Sequence, residues 1–154
     1  MVRHAGGFEE CMVFVFDFDG VLAVPLEEGM VAPRARGLKA LKEATGMGAV
    51  YVLTGRRVNE KSIITSLLSG AGIGLSGVSI ITRSTGDSRR EVDYKISAME
   101  DVYGIEGCIG ELHDDNPYVL ASARKRVTHG GVLHYDDICE PLYGYSVLEA
   151  CRSF

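Results

Sequence analysis

The chain has 154 residues, of which 46% are hydrophobic, and this suits one domain over residues 1–154 with a buried core. Its formal charge of −5 argues against holding nucleic acid by bulk electrostatics. No apolar run approaches the roughly 18 residues of a membrane span, and the start MVRHAGGFEE does not read as a secretory signal, so a cytoplasmic protein with no membrane partner is expected.

Residues 12–16 (MVFVF) are a continuous apolar run ending at Asp17, the pattern of a strand buried on both faces of a parallel sheet. Residues 21–32 leave room for a small hairpin flap, and residues 36–44 place Leu38 and Leu41 on one helix face. Residues 49–53 (AVYVL) repeat the strand pattern and end at Thr54-Gly55-Arg56. Asn59 reads as the cap of a helix that carries Ile63, Ile64, Leu67 and Leu68 and stops at Gly70. Residues 78–82, 108–112 and 131–135 read as further strands. Lys95 is placed at the head of a helix, Asn116-Pro117 opens another through residue 126, and residues 143–151 form a short closing helix. Alternating strands and helices predict an α/β, Rossmann-like parallel sheet of about five strands with helices on both faces and no large cap. In such sheets ligands bind beyond the carboxyl ends of the strands.

Three of the predicted strands lead into polar groups of complementary type: Asp17-Phe18-Asp19-Gly20, Thr54-Gly55-Arg56 and His113-Asp114-Asp115-Asn116. On an extended segment Asp17 and Asp19 point to the same side while Phe18 turns to the core. Gly20 lets the chain leave at an angle that a bulkier residue resists. A carboxylate pair joined by a third carboxylate from another strand makes an all-oxygen site of the kind that suits Mg²⁺. In such a site Asp17 is a candidate nucleophile toward phosphorus and Asp19 a general acid and base, with Thr54 bonding the phosphoryl group and Lys95 balancing charge.

Other signals carry less. Cys11, Cys108, Cys139 and Cys151 contain no CxxC pair and read as structural thiols. Gly72-Ile73-Gly74-Leu75-Ser76-Gly77 satisfies GxGxxG but follows a helix and precedes a strand, the reverse of a dinucleotide site. His113 is as well explained in the core as beside the acidic pair, Asp136-Asp137 reads as a polar turn, and Arg124-Lys125-Arg126 as a solvated helix end. Arg56, Arg57, Arg83, Arg89 and Arg90 fit either an anion-attracting rim or ordinary surface charge.

The ordered set resembles the haloacid dehalogenase-like (HAD) superfamily, with DFDGVL as its first motif, LTGR its second, Lys95 its third and HDDN its fourth. The resemblance implies an aspartyl-phosphate on Asp17, acid and base work by Asp19, and Mg²⁺ held by Asp17, the backbone carbonyl of Asp19, and Asp114 or Asp115. Arg83-Ser84-Thr85-Gly86-Asp87-Ser88-Arg89, ahead of Lys95, resembles the phosphatase half of phage-type polynucleotide kinase/phosphatases. That likeness implies a phosphatase acting on a 3′-phosphate, or 2′,3′-cyclic phosphate, of a polynucleotide or nucleotide, with Gly55, Arg56, Arg83, Asp87 and Arg89 binding substrate. Asn116 stands where that family has arginine, and Glu91 where it has aspartate. The kinase loop GxxxxGK[ST] is absent from the sequence. The rival readings are a phosphatase of a small phosphorylated metabolite and a catalytically quiet domain that binds a phosphorylated or protein partner. The short intervals between motifs leave the site open, and a second copy of the chain could supply a lid.

Overall fold

The computed structural model describes residues 2–5, 8–124 and 131–134. Two short strands, β1 (Val2–Ala5) and β2 (Phe8–Cys11), pair antiparallel ahead of the main sheet. All four residues of β3 (Val13–Phe16) are buried. Successive side chains leave a strand on opposite faces, so Val13 and Val15 join one apolar core and Phe14 and Phe16 another. A hairpin of β4 (Ala23–Pro25) and β5 (Val31–Pro33) comes next. Then follow α1 (Ala35–Thr45), β6 (Ala49–Arg57), α2 (Lys61–Gly70) and β7 (Val78–Arg83). After these come α3 (Glu91–Glu106), β8 (Glu111–Asp114), α4 (Pro117–Ala123) and β9 (Gly131–His134).

Among the described residues the main sheet has five strands in the order β7-β6-β3-β8-β9, and every neighbouring pair is parallel. From β3 the chain winds outward through β6 and β7, then crosses to β8 on the other side. The strand order therefore reverses at β3, and the crevice between β6 and β8 at their carboxyl ends is where such sheets take ligands. Helices α1 and α2 cover one face with Leu38, Leu41, Ile64 and Leu68. Helices α3 and α4 cover the other with Met99, Val102, Val119 and Leu120. Burial on both faces explains strands without a polar alternation, and each fully buried Leu or Ile contributes roughly 1.5–3 kcal/mol. Among the described residues no helix is long and apolar enough to cross a membrane.

Several boundaries differ from those read in the sequence. β6 extends through Thr54, Gly55 and Arg56 to pair Arg57 with Arg83, with an irregularity after Leu53 that interrupts the ladder under the TGR segment. β8 begins at Glu111, because Cys108 is bonded to Cys11 and the Gly110 amide donates to the Val13 carbonyl at 2.8 Å. The two cysteines form a disulfide and are not free thiols. Asn59 does not cap α2: residues 58–60 form a 3₁₀ turn, and the helix starts at Lys61. Lys95 lies more than a turn inside α3, which begins at Glu91. The predicted residues 135, 125–126 and 143–151, with Asp136, Asp137, Cys139 and Cys151, lie outside the described residues.

Candidate active site

The carboxyl end of β3 delivers Asp17 into the crevice. Its amide donates to the His113 carbonyl at 2.8 Å, extending the β3–β8 pairing by one step, and its Oδ1 accepts the Phe18 amide at 2.8 Å. Phe18 is fully buried in the core shared with Leu22 and Leu38, so Asp17 and Asp19 flank an apolar anchor. The chain then turns at Gly20, whose φ of +86° lies in the left-handed region. A Cβ there would come within 2.1 Å of Asp115 Oδ2, so the absence of a side chain lets the β8 loop close over the turn.

From β8, Asp114 is buried and Asp115 exposed. Ligand atoms of Asp17, Asp114 and Asp115 lie within 4.8 Å of one another. Asp114 Oδ1 accepts the Asn116 amide at 2.8 Å, and Asn116 caps α4 by accepting the Tyr118 amide at 2.9 Å. Lys95 reaches the same point from α3. Its Nζ is 3.0 Å from Asp17 Oδ1, 3.0 Å from Asp114 Oδ2 and 3.4 Å from Glu91 Oε1.

One buried ammonium thus faces three carboxylates, with Asp115 adding a fourth. Burial pushes the Asp17 carboxyl well up, Lys95 opposes that, and Asp114 and Asp115 add to it. Burial likewise raises Asp114 against the pull of Lys95 and the Asn116 amide. On Lys95 burial acts downward, but Asp17, Asp114 and Glu91 outweigh it and hold the ammonium charged. The cluster gathers more carboxyl groups than one ammonium can balance, on hard oxygen donors, and a hard divalent cation such as Mg²⁺ fits it by favouring their charged form.

Asp19 is held differently. Arg56 Nε and Nη2 donate to its two oxygens at 2.8 and 2.9 Å, a bidentate pair, and Arg56 Nη1 donates to Glu60 at 3.0 Å. Thr54 is fully buried, and its hydroxyl oxygen accepts the Arg56 amide at 3.0 Å, which fixes the TGR turn. An open pocket of about 710 Å³ lies above these groups, lined by Asp17, Asp19, Gly55, Arg56, Arg83 and Asp115 among others.

Of the residues read as binding substrate, Gly55, Arg56 and Arg83 reach this pocket. Asp87 and Arg89 are not part of its lining and pair with each other, Nη2 to Oδ2 at 2.6 Å. The Arg89 guanidinium holds the Asp87 carboxyl down at about 2. His113 is buried, stacked on Phe16 and bonded to Glu111 Oε1 at 2.9 Å, and burial pushes its pKa down. Arg34 and Glu60 escaped sequence reasoning. The buried Arg34 donates from Nη1 to the Gly20 carbonyl, and Glu60 steadies Arg56; nothing in their sequence surroundings marks either one.

No protein-family model matches the sequence, and no curated protein is significantly similar to it. Solved structures are more telling. The HAD domain of the effector protein Lem4 from Legionella pneumophila superposes with a TM-score of 0.57 at 13% identity, covering 92% of both chains. This chain has a HAD-like fold. The same HAD-like fold matches a chain of the Pnkp1/Rnl/Hen1 complex with a TM-score of 0.66 at 18% identity, over 82% of this chain and 46% of that one. A chain of the Pnkp1/Rnl/Hen1 RNA repair complex gives a TM-score of 0.65 at 18% identity, with 82% and 43% covered. The protein thus spans less than half the length of the two repair-complex chains that it matches.

Proposed function

We propose that the protein is a Mg²⁺-dependent phosphohydrolase that works through an aspartyl-phosphate on Asp17, and that its substrates are 3′-phosphate ends of polynucleotides or nucleotides. The observation that carries the reaction type is the meeting of Asp17, Asp114 and Asp115 around the single ammonium of Lys95. Asp17 and Asp115, with Asp114 and the backbone carbonyl of Asp19, would hold the cation. Bound there, Mg²⁺ supplies Lewis-acid neutralisation of the phosphate charge.

Asp17 attacks phosphorus as the bond to the leaving oxygen breaks, and Asp19, as the acid, gives that oxygen its proton. Asp19 then takes a proton from water, the water oxygen attacks the acyl phosphate, and Asp17 is regenerated with release of orthophosphate. While both Asp19 oxygens accept from Arg56, neither is open to carry the proton to the leaving oxygen. A phosphate ester that draws the Arg56 guanidinium to itself frees one Asp19 oxygen for the proton. Substrate binding and acid catalysis are thereby coupled through one arginine. Thr54 and Lys95 stay fixed, Lys95 holding Asp17 through Oδ1.

The nucleic acid preference rests on the arginine segment after β7 and on the likeness to chains from an RNA repair complex. Phosphate release from oligonucleotides bearing a 3′-phosphate or a 5′-phosphate, beside an aryl phosphate, tests it. Preference for the 3′-end supports this reading, and release only from the small ester moves the substrate to metabolites.

A further inference from the structure

Arg57 and Arg83 are direct register partners across β6 and β7. Like charges placed opposite each other in a sheet are destabilising, and here neither is neutralised: among the described residues neither guanidinium forms a salt bridge. Arg57 Nη1 donates to the carbonyl oxygens of Ser84 (2.5 Å) and Asp87 (2.7 Å), and Arg83 Nη1 to the carbonyl of Arg89 at 2.9 Å. The nearby carboxylate of Asp87 is committed to Arg89. Arg83 is 9% exposed, lies 4.6 Å over the Tyr94 ring, lines the pocket, and its buried Nε has no partner. Donors desolvated in this way cost stability unless an acceptor meets them. Arg83 lines the pocket and Arg57 is not part of its lining, so the pair sits to one side of the group that reacts.

We propose that Arg57 and Arg83 form a second anion subsite that binds a second phosphate group of the substrate. The proposal rests on the phosphatase reading for the identity of the first phosphate. Arg83 presents its donors to the incoming oxygens. Arg57 adds charge and ties down the loop through Ser84 and Asp87. The second phosphate is either a further monoester on a small molecule or the adjoining phosphodiester of a chain. Arg56, set between Asp19 and Glu60, is assigned to the first phosphate and so does not supply this subsite.

Calorimetric titration tests the subsite in the Asp17→Asn protein, where no turnover is expected. The ligands are adenosine 3′-monophosphate, adenosine 3′,5′-bisphosphate and a diadenosine with one internal diester and a 3′-phosphate. One or both of the two-phosphate ligands is expected to bind about tenfold tighter or more than the monophosphate, the order of a charge-assisted contact. That ratio should fall toward one in Arg57→Gln and in Arg83→Gln, which keep a hydrogen-bonding amide but lose the charge; thermal unfolding checks that both are folded. An advantage shared by both ligands assigns the subsite to any second phosphate, and one confined to the dinucleotide assigns it to a chain diester. Equal affinities, a ratio that survives both substitutions, or no binding of any of the three overturns the proposal. Failure of the phosphatase reading shows separately, as no phosphate release by the unsubstituted protein, and leaves the binding ratio readable.

Discussion

Lys95 Nζ lies 3.0 Å from Asp17 Oδ1, with both side chains buried, so the ammonium on α3 is locked to the carboxylate that ends β3. The same nitrogen reaches Asp114 at the end of β8. One cation therefore ties a helix to the two central strands at the switch point of the sheet. Removing it leaves buried carboxylates with no counter-charge.

Lys95→Met should therefore cost about 3–5 kcal/mol of stability, the usual penalty of orphaning buried charge. Urea unfolding with a chelator measures it. Added Mg²⁺ should restore part of the loss, because a bound cation takes over some of the compensation. A stability unchanged by the substitution, with or without Mg²⁺, contradicts the electrostatic picture.

Gly20→Ala tests the closeness of the two acidic loops. The new Cβ meets Asp115 Oδ2 at 2.1 Å on a backbone with φ of +86°. We expect about 1 kcal/mol or more of destabilisation and a higher Mg²⁺ concentration for half-maximal activity, read by a metal titration of turnover. An unchanged metal titration would show that Asp115 does not share the cation.

The Cys11–Cys108 bond closes a loop with a sequence separation of 97. Chain-entropy reasoning gives about 4.7 kcal/mol for a loop near this length, and engineered examples deliver less. Cys11→Ser, or reduction, should lower the urea midpoint while the site geometry persists, since the bond lies ahead of the amino end of β3 and Asp17 follows its carboxyl end. Mass spectrometry of the non-reduced protein checks the pairing.

Tyr51 donates to Glu106, and burial together with that carboxylate pushes the phenol up to about 12 from 10.0. A raised folded value contributes stability that is complete below about pH 10 and is lost as pH rises through 12. Ultraviolet titration should show late-titrating tyrosine absorbance, part of which disappears in Tyr51→Phe; Tyr94, also raised by burial, keeps the rest. If the substitution leaves the alkaline titration unchanged, the hydrogen bond does not shape that limb.

Much of this was legible in the sequence. The apolar runs before Asp17 and Thr54 announced buried parallel strands, because strands covered on both faces need no polar alternation. Asn116-Pro117 announced the cap of α4 because cap chemistry is local. The full extent of α3 was hidden, since its buried stripe of Tyr94, Lys95, Ala98, Met99 and Val102 contains a lysine while Ile105 on the other side is exposed. The disulfide joins residues far apart in the chain, and spacing cannot reveal such a contact. The Arg56–Asp19 pair and the Arg34 contact to Gly20 likewise depend on how loops meet.

The most direct measurement is acid-quenched peptide mapping during turnover with Mg²⁺ and a 3′-phosphorylated oligonucleotide. The unsubstituted protein is quenched within a single turnover, because Asp19→Asn would slow formation of the acyl phosphate as well as its hydrolysis. A phosphoryl group on the peptide carrying Asp17, absent in Asp17→Asn, is the expected result. Phosphate release that persists in Asp17→Asn, with no phosphoryl group on that peptide, would contradict covalent catalysis by Asp17.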